Sequence, residues 1–304
     1  MPAPIPVHPR RLVYLGTPAM AVPPLQALVD AGHEVGLVVS RADKRRGRGG
    51  ALVPSPVTAA ALELGLPVTD DVDDVLGAGA DLGVVVAFGR LIRPHVLDAV
   101  PMINLHFSAL PRWRGAAPVE RAILAGDERT AVAVMAVDET LDTGDVFAET
   151  VLEIGPDETA DELRARLVEA GTALLVDALA HGLTAARPQV GEPTYAAKID
   201  PAELHLDWSR SAEELHRVVR IGGAWTTFRG KRLKVWRTTL VDGGAGAGVA
   251  GSNPAPGELD GLVVGTADGT LELVEVQPEG KGRQEAAAWR NGARPAPGER
   301  LGEP

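Results

Sequence analysis

The sequence predicts a doubly wound α/β domain with a mainly parallel sheet, followed by a small β-barrel. Three observations carry this. Apolar runs of nearly uninterrupted Val and Leu alternate with helical stretches through the first part of the chain, as expected for strands covered on both faces by helices. After Arg229 the pattern changes to short strands parted by glycine-rich turns, which fits a small barrel. A length of 304 residues with 45% hydrophobic content supplies two cores, since domains commonly span about 100–200 residues.

Taken in order, RLVYLG at Arg11–Gly16 is an apolar run ending in glycine, and TPAMAVPPLQALVDAG reads as a helix closing at Gly32. HEVGLVVS repeats the strand pattern, PSPVTAAALELG after Pro54 is a second helix, and LPVT a short strand. A helix near Val72–Leu76 leads into DLGVVVAFG with its continuous apolar centre. AVAVMAV reads as a further strand, and Ala160–Gly182 as an amphipathic helix that packs on the sheet. ARPQVGEPTYAAKIDPAEL, with its prolines and polar residues, reads as a linker crossing the surface. The expected division is therefore residues 1–189, a linker over 190–206 and a second domain over 207–304. In that second domain RLKVWRTTLV, LDGLVVGTADG and TLELVEVQPEG supply strands, and GGAGAGVAG at Gly243–Gly251 reads as a flexible loop.

Composition narrows the chemistry. No run approaches the roughly 18 consecutive apolar residues of a membrane helix, and MPAPIPVHPRR has prolines and charge where a signal peptide has its apolar centre. A soluble, cytoplasmic protein without a membrane partner is expected. With zero cysteines, disulfides, thiolate metal sites and Cys nucleophiles are excluded, which leaves His, Asp, Glu, Asn, Ser, Thr and Lys as catalytic groups. A net charge of −11 argues against coating nucleic acid by charge alone. That deficit is uneven: from His205 onward 13 basic residues balance 13 acidic ones, so a basic face on the second domain is compatible with the total. Only five of the 30 basic residues are Lys, so a lone Arg carries little weight and clusters carry more. His33, His95, His181, His205 and His216 have no partner at metal-ligand spacing, and no metal is expected. The first turn, GTPAMA, lacks the second and third glycines of a dinucleotide fingerprint, which argues against a nicotinamide enzyme.

Doubly wound sheets bind ligands outside the carboxyl ends of their strands, so the residues after each strand are the first candidates. In MINLHFSALPRWRGAAPVERAILAG, Asn104 and His106 end a short apolar run. Residues two apart on a strand point to one side, so the amide and the imidazole face one space. Asp142 follows in ETLDTGDVF, where Thr143 and Gly144 suggest a tight turn after the AVAVMAV strand. Such a trio suits acyl transfer to an amine: amide and imidazole N–H groups stabilise an oxyanion, and a carboxylate holds the His or moves the amine's proton. On spacing alone another reading stands beside it, in which Asn104 and His106 satisfy backbone groups and Asp142 caps a turn.

NLHFSALPRWRGAAP, LDTGD and YLGTPAMAVPPLQAL together resemble the 10-formyltetrahydrofolate-dependent formyltransferases. PSPV at Pro54–Val57, VVVAFGRLI at Val84–Ile92, YAAKI at Tyr195–Ile199, FRGKRLKVW at Phe228–Trp236 and QPEGKGR at Gln277–Arg283 extend the resemblance from about Leu12 to Leu301. DWSRSAEELH and QPEGK set the chain apart from glycinamide ribonucleotide transformylase, which lacks the second domain. The resemblance implies a Rossmann-like catalytic domain and an OB-like barrel. It implies 10-formyltetrahydrofolate as donor, and formyl transfer to the methionine α-amine of initiator methionyl-tRNA for translation initiation, by a monomer. Asn104, His106 and Asp142 match the family's catalytic positions: Asn104 would orient the formyl carbonyl, and Asp142 would favour a charged His106. Two alternatives remain at this point, a sugar-nucleotide N-formyltransferase and a non-catalytic RNA-binding protein.

The resemblance also places the substrates. The folate ring would lie in a mainly apolar pocket lined by Phe88, Gly89, Arg90, Leu91 and Ile92, by Ser108, Leu110 and Pro111 of FSALP, and by the turn from Asp138 to Asp142. Arg41, Lys44, Arg45, Arg46 and Arg48 form a basic loop in an otherwise acidic domain, implied to reach the tRNA acceptor end through phosphate contacts. Arg229, Lys231, Arg232, Lys234 and Arg237 form a second cluster, in which Arg232 and Lys234 share a strand face and would track the RNA backbone. RIGGAWTTF at Arg220–Phe228 is shorter than the family's usual stretch, and FSALP departs from the usual serine–leucine–leucine–proline.

Overall fold

The computed structural model describes residues 2–42, 44–46, 50–241 and 254–303; Arg48 and the segment Gly243–Gly251 lie outside the described residues. In chain order the elements are β1 (Arg11–Gly16), α1 (Val22–Asp30), β2 (Glu34–Val39), β3 (Lys44–Arg46), β4 (Ala51–Val53), α2 (Pro56–Glu63), β5 (Val68–Thr69), β6 (Leu82–Val86) and α3 (Pro94–Leu97). They continue with β7 (Met102–His106), β8 (Arg114–Gly115), α4 (Pro118–Ala125), β9 (Arg129–Ala136), β10 (Val146–Glu153), α5 (Ala160–His181) and β11 (Tyr195–Ala196). The remainder is α6 (Ala212–Arg220), β12 (Trp225–Phe228), β13 (Lys231–Val241), β14 (Leu259–Asp260), β15 (Val263–Gly265), β16 (Thr270–Pro278), β17 (Gln284–Glu285) and α7 (Ala286–Ala293). The helix expected near Val72–Leu76 is a 3-10 helix over Val72–Gly77, opened by the Asp71 carboxylate accepting from the Asp73 N–H.

Two compact units result, and they alternate along the sequence. One comprises Met1–Val119, Arg129–Glu153 and Arg164–Ala197; the other Glu120–Glu128, Ile154–Leu163 and Lys198–Pro304.

The first unit holds a seven-stranded sheet in the order β10-β9-β7-β6-β1-β2-β5. The neighbours β5, β2, β1, β6 and β7 pair in parallel, whereas β9 joins β7 and β10 joins β9 in antiparallel. The chain winds outward from β1 to β2 and β5, then returns to lay β6 on the other side of β1. The strand order thus reverses between β1 and β6, and sheets of this kind take ligands outside the carboxyl ends of their strands at such a point. Every residue of β6 is buried, and each fully buried Val or Leu contributes about 1.5–3 kcal/mol relative to exposure. Gly16, which ends β1, has no room for a side chain: a Cβ would lie 3.0 Å from Ala21 Cβ and 3.1 Å from Val86 O. The buried Tyr14 hydroxyl donates to Ala21 O at 2.5 Å and so ties β1 to the start of the first helical segment. On α2, Ser55 caps the N-terminus by accepting from the Thr58 N–H at 3.0 Å, with Pro56 in the first turn. The long α5 packs on the sheet as expected, with Gly171 against Val132 and Leu105.

The second unit is built on an antiparallel sheet of order β12-β13-β16-β15-β14, with β17 on β16. Its core gathers Trp208, Leu215, Val219, Leu233, Val235, Leu271, Val276 and Trp289. Helix α6 begins with a reciprocal capping box between Ser211 and Glu214, a signal written in SAEE.

Candidate active site

The site forms in the first unit at the carboxyl end of β7. Asn104 and His106 stand two apart on this strand, so they share a face; Asn104 pairs with Val85 on one side and Met135 on the other. The His106 side chain is buried, and its Nε2 lies 3.1 Å from the Trp113 carbonyl. A carbonyl only accepts, so Nε2 carries the proton and Nδ1 is the nitrogen turned to Asp142. The Asp142 Oδ2 lies 3.8 Å from that Nδ1, an ion-pair distance rather than a hydrogen bond. The structure thus brings Asp142, from the turn between β9 and β10, to His106, with Asn104 on the same face of β7.

What holds them is local backbone of unusual conformation. Trp113, with φ +63°, turns its carbonyl toward the site, and the same oxygen accepts a longer bond of 3.3 Å from the Ser108 hydroxyl. Asp142 adopts φ +51°, a left-handed conformation that costs a non-glycine residue roughly 1–2 kcal/mol and therefore needs outside support. The Gly115 N–H supplies part of it, donating to Asp142 Oδ2 at 2.8 Å. Gly144 supplies another part: a Cβ there would stand 2.1 Å from Ala136 O, so only glycine lets the turn close on β9.

The positions expected to line the folate follow β6 and β7 in the chain. In the turn after β6, Ala87 and Gly89 take φ values of +46° and +70°. Thr17 Oγ1 donates to Phe88 O at 3.4 Å, joining the turns after β1 and β6. Phe88 and Ile92 are buried, whereas Leu91 is 82% exposed and contributes surface rather than core. Arg90 donates to Asp70 O at 2.7 Å and lies over the Phe88 ring. Ser108 is fully buried with its hydroxyl bonded to Arg112 O at 2.7 Å, so its side chain shapes the FSALP turn from within. Leu110 packs against Ala133, Met135 and Val146, and Pro111 is buried. Asp138 is exposed, and partial loss of hydration, then the charges of Asp145 and Glu139, push its carboxyl above the usual range.

Residues outside the sequence-derived set complete the site. Gln189, Arg114 and Thr194 bond to the backbone and side chains of the Trp113 and Asp142 turns. Arg114 stands inside the RWRG string, but Gln189 and Thr194 have no local pattern to mark them. Among the described residues no group of His, Cys, Asp and Glu is placed to hold a metal ion.

The basic residues occupy two other places. Lys44–Arg46 form β3, paired antiparallel to β4, and among the described residues Arg41 Nε, close by in sequence, has no hydrogen-bond partner. In the second unit Leu233 and Val235 point into the core while Arg232, Lys234 and Trp236 alternate outward. Arg232 lies 4.1 Å from the Trp225 ring centroid; Lys234 and Arg283 lie 5.6 and 4.9 Å from that of Trp236. By contrast Arg229 is held by Glu299, and Arg237 by Glu162, within the unit. His216 is buried against Thr238 and Asp157, and His205 packs at a tilt against Trp225, consistent with packing roles.

Comparison with known proteins gives two family matches: a formyl transferase model over residues 10–179 and a formyl transferase C-terminal domain model over residues 198–294. A methionyl-tRNA formyltransferase of Symbiobacterium thermophilum is 40% identical, over 97% of this chain and 96% of that protein. One from Heliobacterium modesticaldum is 43% identical over 96% of this chain and the whole of the other. Among solved structures, an N-formyltransferase from Helicobacter canadensis, in complex with folinic acid and dTDP-3-aminofucose, shares the fold with a TM-score of 0.65 at 16% identity, covering 87% of this chain and 98% of that one.

Proposed function

The chain belongs to the formyltransferase family, and on that premise we propose that it transfers a formyl group from 10-formyltetrahydrofolate to the methionine α-amine of initiator methionyl-tRNA. The observation that carries the chemical reading is the approach of His106 Nδ1 to Asp142 Oδ2 at 3.8 Å, with Asn104 two residues before His106 on the same face of β7.

The folate supplies an electrophilic formyl carbon; the protein's residues do the rest. The Asn104 amide orients the formyl oxygen and donates to it as negative charge develops there. With Nε2–H committed to the Trp113 carbonyl, Nδ1 is the working nitrogen of His106, and a proton on it serves the same oxygen while Asp142 balances the charge. The bond between the formyl carbon and the folate nitrogen then breaks, and the proton released by the attacking amine passes through Asp142 or water to that departing nitrogen, so that tetrahydrofolate leaves as the formyl-amine forms. Holding both substrates in one crevice supplies much of the acceleration. The hairpin bearing Lys44, Arg45 and Arg46, and the outward face bearing Arg232 and Lys234, take the RNA phosphates.

Identity separates this reading from the sugar-nucleotide alternative: relatives that formylate methionyl-tRNA match at 40% and above over nearly the full chain, whereas the sugar-bound structure matches in fold. The test is formyl transfer from 10-formyltetrahydrofolate to charged initiator tRNA, with uncharged tRNA and an amino-sugar nucleotide as controls. Product with methionyl-tRNA alone is expected. Transfer to the sugar alone would keep the trio and overturn the tRNA assignment, and no transfer to either would leave the fold without its activity.

A further inference from the structure

The turn that carries Asp142 is gripped by one side-chain amide. Gln189 Nε2 donates to two carbonyls of the turn, Asp142 O at 2.9 Å and Gly144 O at 2.8 Å. Its Oε1 accepts from the Arg114 guanidinium, from Nε at 3.1 Å and from the terminal nitrogen at 2.6 Å. This arrangement admits one orientation of the amide, because only the NH2 can face carbonyls and only the oxygen can face a guanidinium. We propose that Gln189, backed by Arg114, is a positioning residue for formyl transfer: it holds the left-handed Asp142 turn so that the carboxylate stays beside His106.

Three features make the grip specific to the site rather than general packing. First, the two gripped carbonyls bracket the turn that starts with the strained Asp142 and ends at Gly144, where there is no space for a side chain. Second, β8 serves both ends of the arrangement, since Arg114 supports Gln189 while the next residue, Gly115, donates its N–H to the Asp142 carboxylate. Third, Gln189 is fixed on either side by backbone pairing. Arg187 exchanges both hydrogen bonds with Val146 at 2.9 Å, and β11 pairs with β8, with Thr194 Oγ1 accepting from the Trp113 N–H at 2.9 Å. The same strap therefore positions the turn carrying Asp142 and the turn whose carbonyl holds His106.

The proposal rests on the reading that Asp142 acts in the transfer, and the experiment separates the two. In the full-length enzyme, with 10-formyltetrahydrofolate and methionyl-tRNA, Gln189→Ala is expected to lower kcat on the order of tenfold to a hundredfold, with both KM values changed less than about twofold. In Gln189→Glu a carboxylate would face two carbonyls at neutral pH, whereas its protonated form regains one donor. Its rate relative to wild type is therefore expected to rise as pH falls, while the Gln189→Ala ratio stays flat. In an Asp142→Asn background, Gln189→Ala is expected to add no further loss, because both changes remove one device. A full additional loss in that background, or a fall in thermal midpoint that accounts for the lost rate with no pH effect in Gln189→Glu, overturns the positioning role. Should Asp142→Asn alone keep the wild-type rate, the reading of Asp142 fails, and that result is obtained without touching Gln189.

Discussion

The strand-end site of the first unit and the outward face of β13 in the second solve opposite problems. At the site, a buried His106, a left-handed Asp142 and a left-handed Trp113 are assembled from segments far apart in sequence, and each depends on a partner supplied by another segment. On β13, Arg232, Lys234 and Trp236 face outward through strand alternation, and the Arg232 and Lys234 cations lie over the Trp225 and Trp236 rings. The first region is preorganised and intolerant of small changes; the second is a surface whose contribution is spread over several charges. Chemistry on a formyl carbon requires fixed geometry, whereas attraction to a phosphate backbone requires charge.

Removing members of each region sharpens that contrast. Replacing His106 or Asp142 with Ala is expected to lower kcat on the order of 10²–10⁴-fold, the range for a lost acid–base or oxyanion group, while tRNA binding in a filter assay survives. Near wild-type turnover in either variant removes that residue from the mechanism and with it the idea of a preorganised trio.

A backbone test of the same region comes next in size. Gly144→Ala forces a Cβ onto Ala136 O and is expected to cost about 1–3 kcal/mol of stability, read as a thermal midpoint several degrees lower, together with loss of activity in the remaining folded enzyme. A tolerated Gly144→Ala would show that the turn closes by another route.

For the basic face the expected effects are smaller and of another kind. Arg232→Ala and Lys234→Ala should each raise KM for tRNA about tenfold or less without changing kcat, and each should reduce the slope of log affinity against log salt by about one. A change in kcat with an unchanged salt slope would place these residues outside the RNA contact.

The smallest effect is a pH test of the second unit. Glu162 accepts from the Thr159 N–H and hydroxyl and pairs with Arg237, in that order of weight, and its carboxyl is held down to about 2. A folded pKa below the unfolded value gives stability that is full above the unfolded pKa, 4.5, and is lost as pH falls through about 2. Because the pair is exposed, a few tenths of a kcal/mol is expected, seen as a gap in urea midpoint between wild type and Glu162→Gln that narrows from pH 6 toward pH 3. A gap of constant size would assign the effect to packing.

Much of the architecture was legible because it is written in short-range patterns. The all-apolar LGVVV of β6 requires a strand buried on both faces, the alternation in KRLKVW gives the outward basic stripe, and the spacing of Asn104 and His106 puts them on one face of β7. Each of these follows from residues within a few positions of one another. Other features escaped that reading. The helix near Val75 was legible, but not that it would wind as 3-10 rather than α.

What the sequence by itself determined is therefore the layering of the first unit, the sheet of the second, and the identity of the three polar residues at strand ends. Tertiary structure alone decided that His106 gives its Nε2 proton to the Trp113 carbonyl, that Asp142 faces the other nitrogen from a left-handed turn, and that Gln189, in a stretch read as lying beside a linker, grips that turn. The physical reason is sequence distance: periodicity reports which face of an element a residue occupies, whereas hydrogen bonds between loops depend on where the strands that carry them are placed.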